Sequence, residues 1–292
     1  MSDYVARLNE RRFEKNGARN SYAKFQKMVL EFYKDHGRKL PWRETANPYH
    51  ILVSEIMLQQ TQVHRVIDKY IQFITEIPDF NALASISIQH LLQLWQGLGY
   101  NRRALSLKDI AECVVRDYHA KLPTQPEALE SFKGIGPNTA ASICVFAFNM
   151  PLVFIETNIR RVYTHFFFND EDTIDDRDLK PVIEATLYMP SPRDWYNALM
   201  DLGSLIPKHT ENPNRRNKAY RKQSPFEGSQ RQIRGEVLRS LSQRPLSWKG
   251  LKKSTDVLVK TEPDYIKKAV SALESEGFIT MEDGVYRIKE TT

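Results

Sequence analysis

Residues 129–147, LESFKGIGPNTAASICVFA, carry the first pattern with chemical content. One helix ends, Gly134-Ile135-Gly136 makes a tight turn, and a second helix begins at Pro137. Glycine tolerates positive φ and lets the backbone come close to a partner. The amides of the turn and the start of the next helix then converge on one spot, an anion site suited to phosphate. Ile135 is expected to plug the core between the two helices. Taken alone, a GxG between helices is equally an ordinary packing turn. A second candidate is Glu55, set among Ile51, Leu52, Ile56 and Leu58. A carboxyl buried there would have a raised pKa and keep its proton near neutrality. Taken alone, it reads as a surface glutamate on a helix. The third is a run of cations: Lys208, Arg215, Arg216, Lys218, Arg221 and Lys222 fall within residues 207–228 against Glu211 and Glu227.

The elements that must position these groups are mostly helical. Apolar residues recur three and four apart in Phe25, Met28, Val29, Phe32 and again in Leu91, Leu92, Leu94, Trp95. Asn47-Pro48 and Gly136-Pro137 mark helix starts. The prolines and asparagines of 207–228 predict an extended basic connector. Residues 229–292 read as a small domain: a helix over Gln232–Leu241, another over Pro263–Ser275, then two short strands joined at Asp283-Gly284. That order suggests a winged helix-turn-helix. The expected fold class is mainly α, with a C-terminal winged-helix-like α/β domain.

The chain has 292 residues, enough for two or three compact units, with a formal net charge of +6. A basic balance fits a polyanionic partner only where the charge clusters. No apolar run approaches a membrane span, and the first twenty residues lack the apolar core of a secretory signal. Cys113 and Cys144 are the only cysteines, too few for a disulfide framework or a four-thiolate site, and both read as buried thiols. A cytoplasmic, nucleoid-associated location is expected.

Six segments occur in one order: LPWR at 40–43, PYHILVSEIMLQQTQV at 48–63, GLGYNRRA at 97–104, FKGIGPNTAASI at 132–143, IETNIRRV at 155–162 and MDLGS at 200–204. Together they resemble the MutY-type adenine DNA glycosylases of the endonuclease III superfamily, over roughly residues 24–206. RQIRG at 231–235 resembles a tail segment of some short bacterial members. The resemblance implies a two-lobed helix-hairpin-helix domain over 1–206 that binds duplex DNA as a monomer, flips a nucleotide out of the stack and cuts its N-glycosidic bond.

Roles follow position by position. Glu55 matches the acid that protonates the departing purine. Glu156 stands where the family has an aspartate that stabilises oxocarbenium charge on the sugar. It is one methylene longer, so two outcomes are open: the fold accommodates the longer acid, or activity is altered or lost. Asn158 is expected to orient that carboxylate or the DNA backbone. Asn138 occupies the position of the Schiff-base lysine of lyases, and asparagine cannot form that adduct, which implies a monofunctional enzyme. Gln60 matches the wedge entering the base stack, beside Thr61. Leu98 and Tyr100 match residues that probe the opposite base. Lys133, Gly134 and Gly136 would meet phosphate, and Trp42 and Arg43 would wall the base pocket.

Relatives place four cysteines after MDLGS, spaced C-x6-C-x2-C-x5-C, around a [4Fe–4S] cluster. The corresponding positions here are Pro207, Asn214, Asn217 and Gln223. No cluster is expected, and the one ligand entertained is a monovalent cation at the hairpin turn. The basic connector, Arg215 and Arg216 above all, would supply DNA contacts in its place. The winged-helix-like tail stands where full-length relatives carry an 8-oxoguanine-sensing domain. The expected activity is excision of adenine opposite guanine or 8-oxoguanine. A thymine or uracil mismatch glycosylase is one alternative; a non-catalytic DNA-binding protein is the other.

Overall fold

The computed structural model describes residues 11–15, 19–221, 226–255 and 264–290. Lys222, Gln223 and Pro263 lie outside them. In chain order the helices are α1 (Arg19–His36), α2 (Pro48–Leu58), α3 (Val63–Glu76), α4 (Phe80–Ser85), α5 (Ile88–Leu94), α6 (Arg102–Tyr118), α7 (Pro126–Glu130), α8 (Pro137–Phe148), α9 (Thr157–Phe167), α10 (Asp176–Thr186), α11 (Pro192–Leu205) and α12 (Gln230–Gln243). Then come β1 (Leu246–Ser247), α13 (Trp248–Thr255), α14 (Asp264–Ser275), β2 (Ile279–Glu282) and β3 (Val285–Ile288). The chain divides into two compact units. One comprises Met1–Ile51, Thr124–Ser131 and Ile135–Lys222; the other comprises Leu52–Pro123, Phe132–Gly134 and Gln223–Thr292.

In the first unit, α9 buries Ile159, Val162, Tyr163 and Phe166 in a core shared with Trp195, Ala198, Leu199 and Leu202 of α11. Phe25 of α1 meets Phe167 edge-on at 4.8 Å and Trp195 at 5.8 Å between ring centroids. Such pairs add about 1 kcal/mol each beyond simple burial. α9 and α11 approach so closely that a β-carbon on Gly203 would stand 2.3 Å from the main-chain oxygen of Asn158. The glycine of MDLGS is therefore a packing requirement.

Over residues 206–217 the basic segment after α11 packs against the first unit. It forms short 3-10 turns at Ile206–Lys208 and Pro213–Arg216 and pairs Asn217 with Ile174 in a β-bridge. Proline and asparagine forbid a long helix here but not a tight fit. Asn214 donates to the Thr157 carbonyl at 2.8 Å, and Asn217 donates to Asp176 at 3.0 Å. Two positions where relatives hold cluster thiolates thus carry buried amides that tie the segment to α9 and α10.

In the second unit, the C-terminal residues form a three-stranded antiparallel sheet in the order β1-β3-β2, flanked by α12, α13 and α14. This is the winged-helix order. Asp283 and Gly284 both have positive φ, 50° and 77°, as a two-residue primed hairpin turn requires. The tail packs into the same unit as residues 52–123. Gln89 and Gln93 of α5 donate to the Ser242 carbonyl at 3.0 and 2.6 Å. Glu290 accepts from the amides of Ile88 and Gln89, capping α5 from the far end of the described chain. Arg102 and Arg234 both pair with Glu276.

Candidate active site and nucleic-acid interface

Glu156 of the first unit is the N-cap residue of α9. Its Oε1 accepts from the amides of Asn158 at 2.8 Å and Ile159 at 3.1 Å. Glutamate is an uncommon cap, but the extra methylene lets the carboxylate curl back over its own helix start, where the helix dipole favours negative charge. Burial nevertheless raises the pKa of this half-buried residue, against the two amides and the nearby Arg161 and Arg160, which act to lower it. Asn158 orients the acid mainly through its main-chain amide; its side-chain nitrogen lies 3.5 Å from Oε2. Arg161 fixes Asn158 in turn, donating to its side-chain oxygen at 2.9 Å and to the Gly203 carbonyl at 2.7 Å.

Asn138, at the position of the lyases' lysine, is a clamp. Its amide donates to the Ile155 carbonyl at 3.1 Å and accepts from the Ile155 amide at 3.2 Å. These bonds hold the residue preceding Glu156 against the start of α8. The Arg43 guanidinium is buried in a two-pronged pair with Asp201, both contacts at 2.8 Å. Arg38 joins the same carboxylate at 2.6 Å. Trp42 is buried beside it. Arg216 donates to the carbonyls of Phe168, Asn169 and Glu171, closing the chain after α9. Arg215 is exposed and pairs with Glu211 at 2.7 Å.

At the hairpin, Gly134 has φ +92°, and a β-carbon there would come within 3.2 Å of Ser106. Gly136 is extended, with φ −98°, and is the N-cap residue of α8; what its missing side chain provides is bare backbone. Lys133 is exposed and Ile135 is buried, as expected.

In the second unit, Glu55 is half-buried on α2, between buried Ser54 and Ile56. Just beyond α2, Gln60 is exposed with φ 54°, and in the next quoted motif Tyr100 is exposed with φ 47°. Left-handed backbone costs a non-glycine residue about 1–2 kcal/mol, so both turns must be held by their surroundings. Arg103 holds them. Its guanidinium donates to the carbonyls of Ile56, Met57 and Gln59 at 2.8, 2.9 and 2.5 Å. It also donates to Thr61 Oγ1 at 2.9 Å and to the Leu98 and Gly99 carbonyls at 3.2 and 3.0 Å. Burial pushes its pKa down to about 10. Thr61 is thereby a member of this network, donating also toward the Leu98 carbonyl at 3.3 Å. The Leu98 side chain is only 2% exposed. Arg103 escaped sequence reading although it lies within GLGYNRRA, because its partners are main-chain carbonyls that no residue pattern reports.

Two arginines sit over the Tyr100 ring: Arg103 at 5.5 Å and Arg231 at 5.7 Å from its centroid. Arg231, from α12, also donates to the Tyr100 hydroxyl at 2.6 Å.

A helix-hairpin-helix superfamily model of base excision DNA repair proteins matches residues 53–182. An adenine DNA glycosylase of Mycobacterium tuberculosis is 30% identical over 278 residues, covering 86% of this chain and 89% of that protein. The chain belongs to the adenine DNA glycosylase family. A further member, from Buchnera aphidicola, is 34% identical over 62% of this chain, which spans about half (52%) of that relative's length. Among solved structures, a thermostable thymine-DNA glycosylase superposes with a TM-score of 0.59 at 25% identity, covering 68% of this chain and 94% of that one. The four positions that the resemblance assigns to cluster thiolates hold Pro207, Asn214, Asn217 and Gln223, and the chain's two thiols lie elsewhere, at Cys113 and Cys144.

Proposed function

We propose that the protein excises adenine opposite guanine or 8-oxoguanine in duplex DNA, leaving an abasic site, and acts as a monomer. Gln60 and Tyr100 carry this reading: both are exposed, in left-handed backbone, on turns that Arg103 ties together. Strained, over-determined turns presenting such side chains suit insertion into a base stack, where wedging offsets unstacking of a few kcal/mol. Glu55 protonates the departing purine, and Glu156, as a carboxylate, stabilises positive charge on the sugar. Asn138 and Asn158 position Glu156. The chemistry runs on two carboxyl groups and no iron–sulfur cluster.

The thymine-glycosylase neighbour keeps a pyrimidine target in view. The deciding assay offers duplexes with A:8-oxoG, A:G, T:G and U:G pairs and then treats them with alkali. Strand breaks at adenine alone are expected. Glu55→Gln and Glu156→Gln should each slow excision by ~100-fold or more. Breaks at thymine or uracil, or a Glu55→Gln variant as fast as wild type, would overturn the reading.

A further inference from the structure

The second unit holds a groove of about 980 Å³ between the 59–62 and 97–102 turns and α12. Its lining is unlike a small-molecule pocket. It includes six arginines against two glutamates, Glu236 and Glu276. Three of those arginines are paired locally: Arg102 and Arg234 share Glu276, and Arg239 pairs with Glu236. Arg65 caps the Gly97 carbonyl and Arg103 is buried in the turns. Arg231 is the arginine that joins the C-terminal helix to Tyr100, by a hydrogen bond and by its position over the ring. Gln60, Gln62 and Gln96 add side-chain amides to the lining, and Phe226, 58% exposed, adds an apolar ring. Side-chain amides and guanidinium forks are the groups that match base edges, and aromatic faces are what bases stack on.

We propose that Arg231 is a specificity-determining residue: it holds Tyr100 in place as the reader of the base facing the extruded adenine, and the groove beside it seats that purine nucleotide. The proposal rests on the reading of the chain as an adenine glycosylase. It assigns to the C-terminal helix a role in selecting substrate. The hydrogen bond to the phenol oxygen and the guanidinium over the ring together fix where Tyr100 points.

The test measures single-turnover excision of adenine opposite guanine, 8-oxoguanine and cytosine for wild type, Arg231→Ala, Arg231→Lys and Tyr100→Phe. Wild type is expected to favour guanine and 8-oxoguanine over cytosine. Arg231→Ala should reduce that ratio at least fivefold. Arg231→Lys, which keeps charge but not the fork, should recover part of it. Tyr100→Phe, which loses the hydroxyl and keeps the ring, should fall between wild type and Arg231→Ala. An unchanged ratio in Arg231→Ala, or equal loss of rate on all three duplexes, overturns the proposal. Should wild type release no adenine, the parent reading fails and a second measurement decides this one. 2-Aminopurine is placed opposite a tetrahydrofuran abasic analogue, and its fluorescence is followed on binding. A change with wild type that Arg231→Ala loses supports the groove; the same change with both proteins overturns it.

Discussion

The two units solve the same problem, holding a chain turn rigid, with buried arginines of opposite design. In the first unit Arg43 answers a carboxylate, Asp201, which Arg38 also contacts, so the buried charges compensate one another. In the second, Arg103 answers main-chain carbonyls and one hydroxyl, with aromatic rings in place of an acid: Trp95 and Tyr100 lie 5.5 Å from its guanidinium carbon. A carboxylate partner makes a strong, local pair. A set of carbonyls makes a distributed one, and here it gathers two segments some forty residues apart in sequence. Charge pairing fixes one junction between helices; carbonyl collection fixes the relative position of two loops.

Three perturbations can break or sharpen this contrast. The largest effect is expected from Asp201→Ala. It strands Arg43, whose side chain is 8% exposed, beside Arg38. A loss of about 3–5 kcal/mol is expected, as for a broken buried pair, read as a lower urea midpoint with an unchanged slope. A loss below ~1 kcal/mol would show that the pair behaves as a surface contact. Arg103→Ala comes next, at about 2–3 kcal/mol for carbonyls left without donors. DNA binding should weaken with it as the Gln60 and Tyr100 turns loosen. Arg103→Lys should rescue little, since an ammonium cannot reproduce the planar fork; full rescue would mean that charge, not geometry, is what the turns need.

The smallest effect concerns pH at Glu156. Its pKa in the fold is raised above the ordinary 4.5. Between the unfolded and folded values the native state binds more protons, so this residue's contribution to stability falls as pH rises through that window. Excision needs the carboxylate, so the rate should rise over the same window. Urea midpoints of wild type minus Glu156→Gln, set beside the wild-type rate at each pH, should therefore slope in opposite directions. Parallel slopes would mean that Glu156 is not the group whose ionisation limits the rate.

What the sequence revealed was what short-range chemistry dictates. The Asp283-Gly284 pair announced its hairpin because few residues tolerate two successive positive φ values. Pro48 and Pro137 marked helix starts because proline has no amide to satisfy. Gly134 was legible for the same local reason. Long-range partners were hidden. Nothing adjacent to Asn138 tells that Ile155 occupies its amide, and a run of cations does not show that Arg216 closes a turn while Arg215 faces water. β1 is two residues long, too short to alternate, and α13 after it also lacked a pattern to announce it. The burial of Leu98 between exposed Gly97 and Gly99 was likewise not legible, because its packing partners are distant in sequence.

The bonds of Arg103 also limit how this scaffold can be modified. Because one guanidinium serves carbonyls on both sides of residues 59–61 and 98–99, neither loop is an interchangeable cassette. Grafting a relative's 59–62 sequence without the matching 97–103 stretch would leave a fork aimed at acceptors that have moved. Shuffled enzymes built from this chain should keep the two segments from one parent, and natural drift in either should be tolerated only when the other drifts with it.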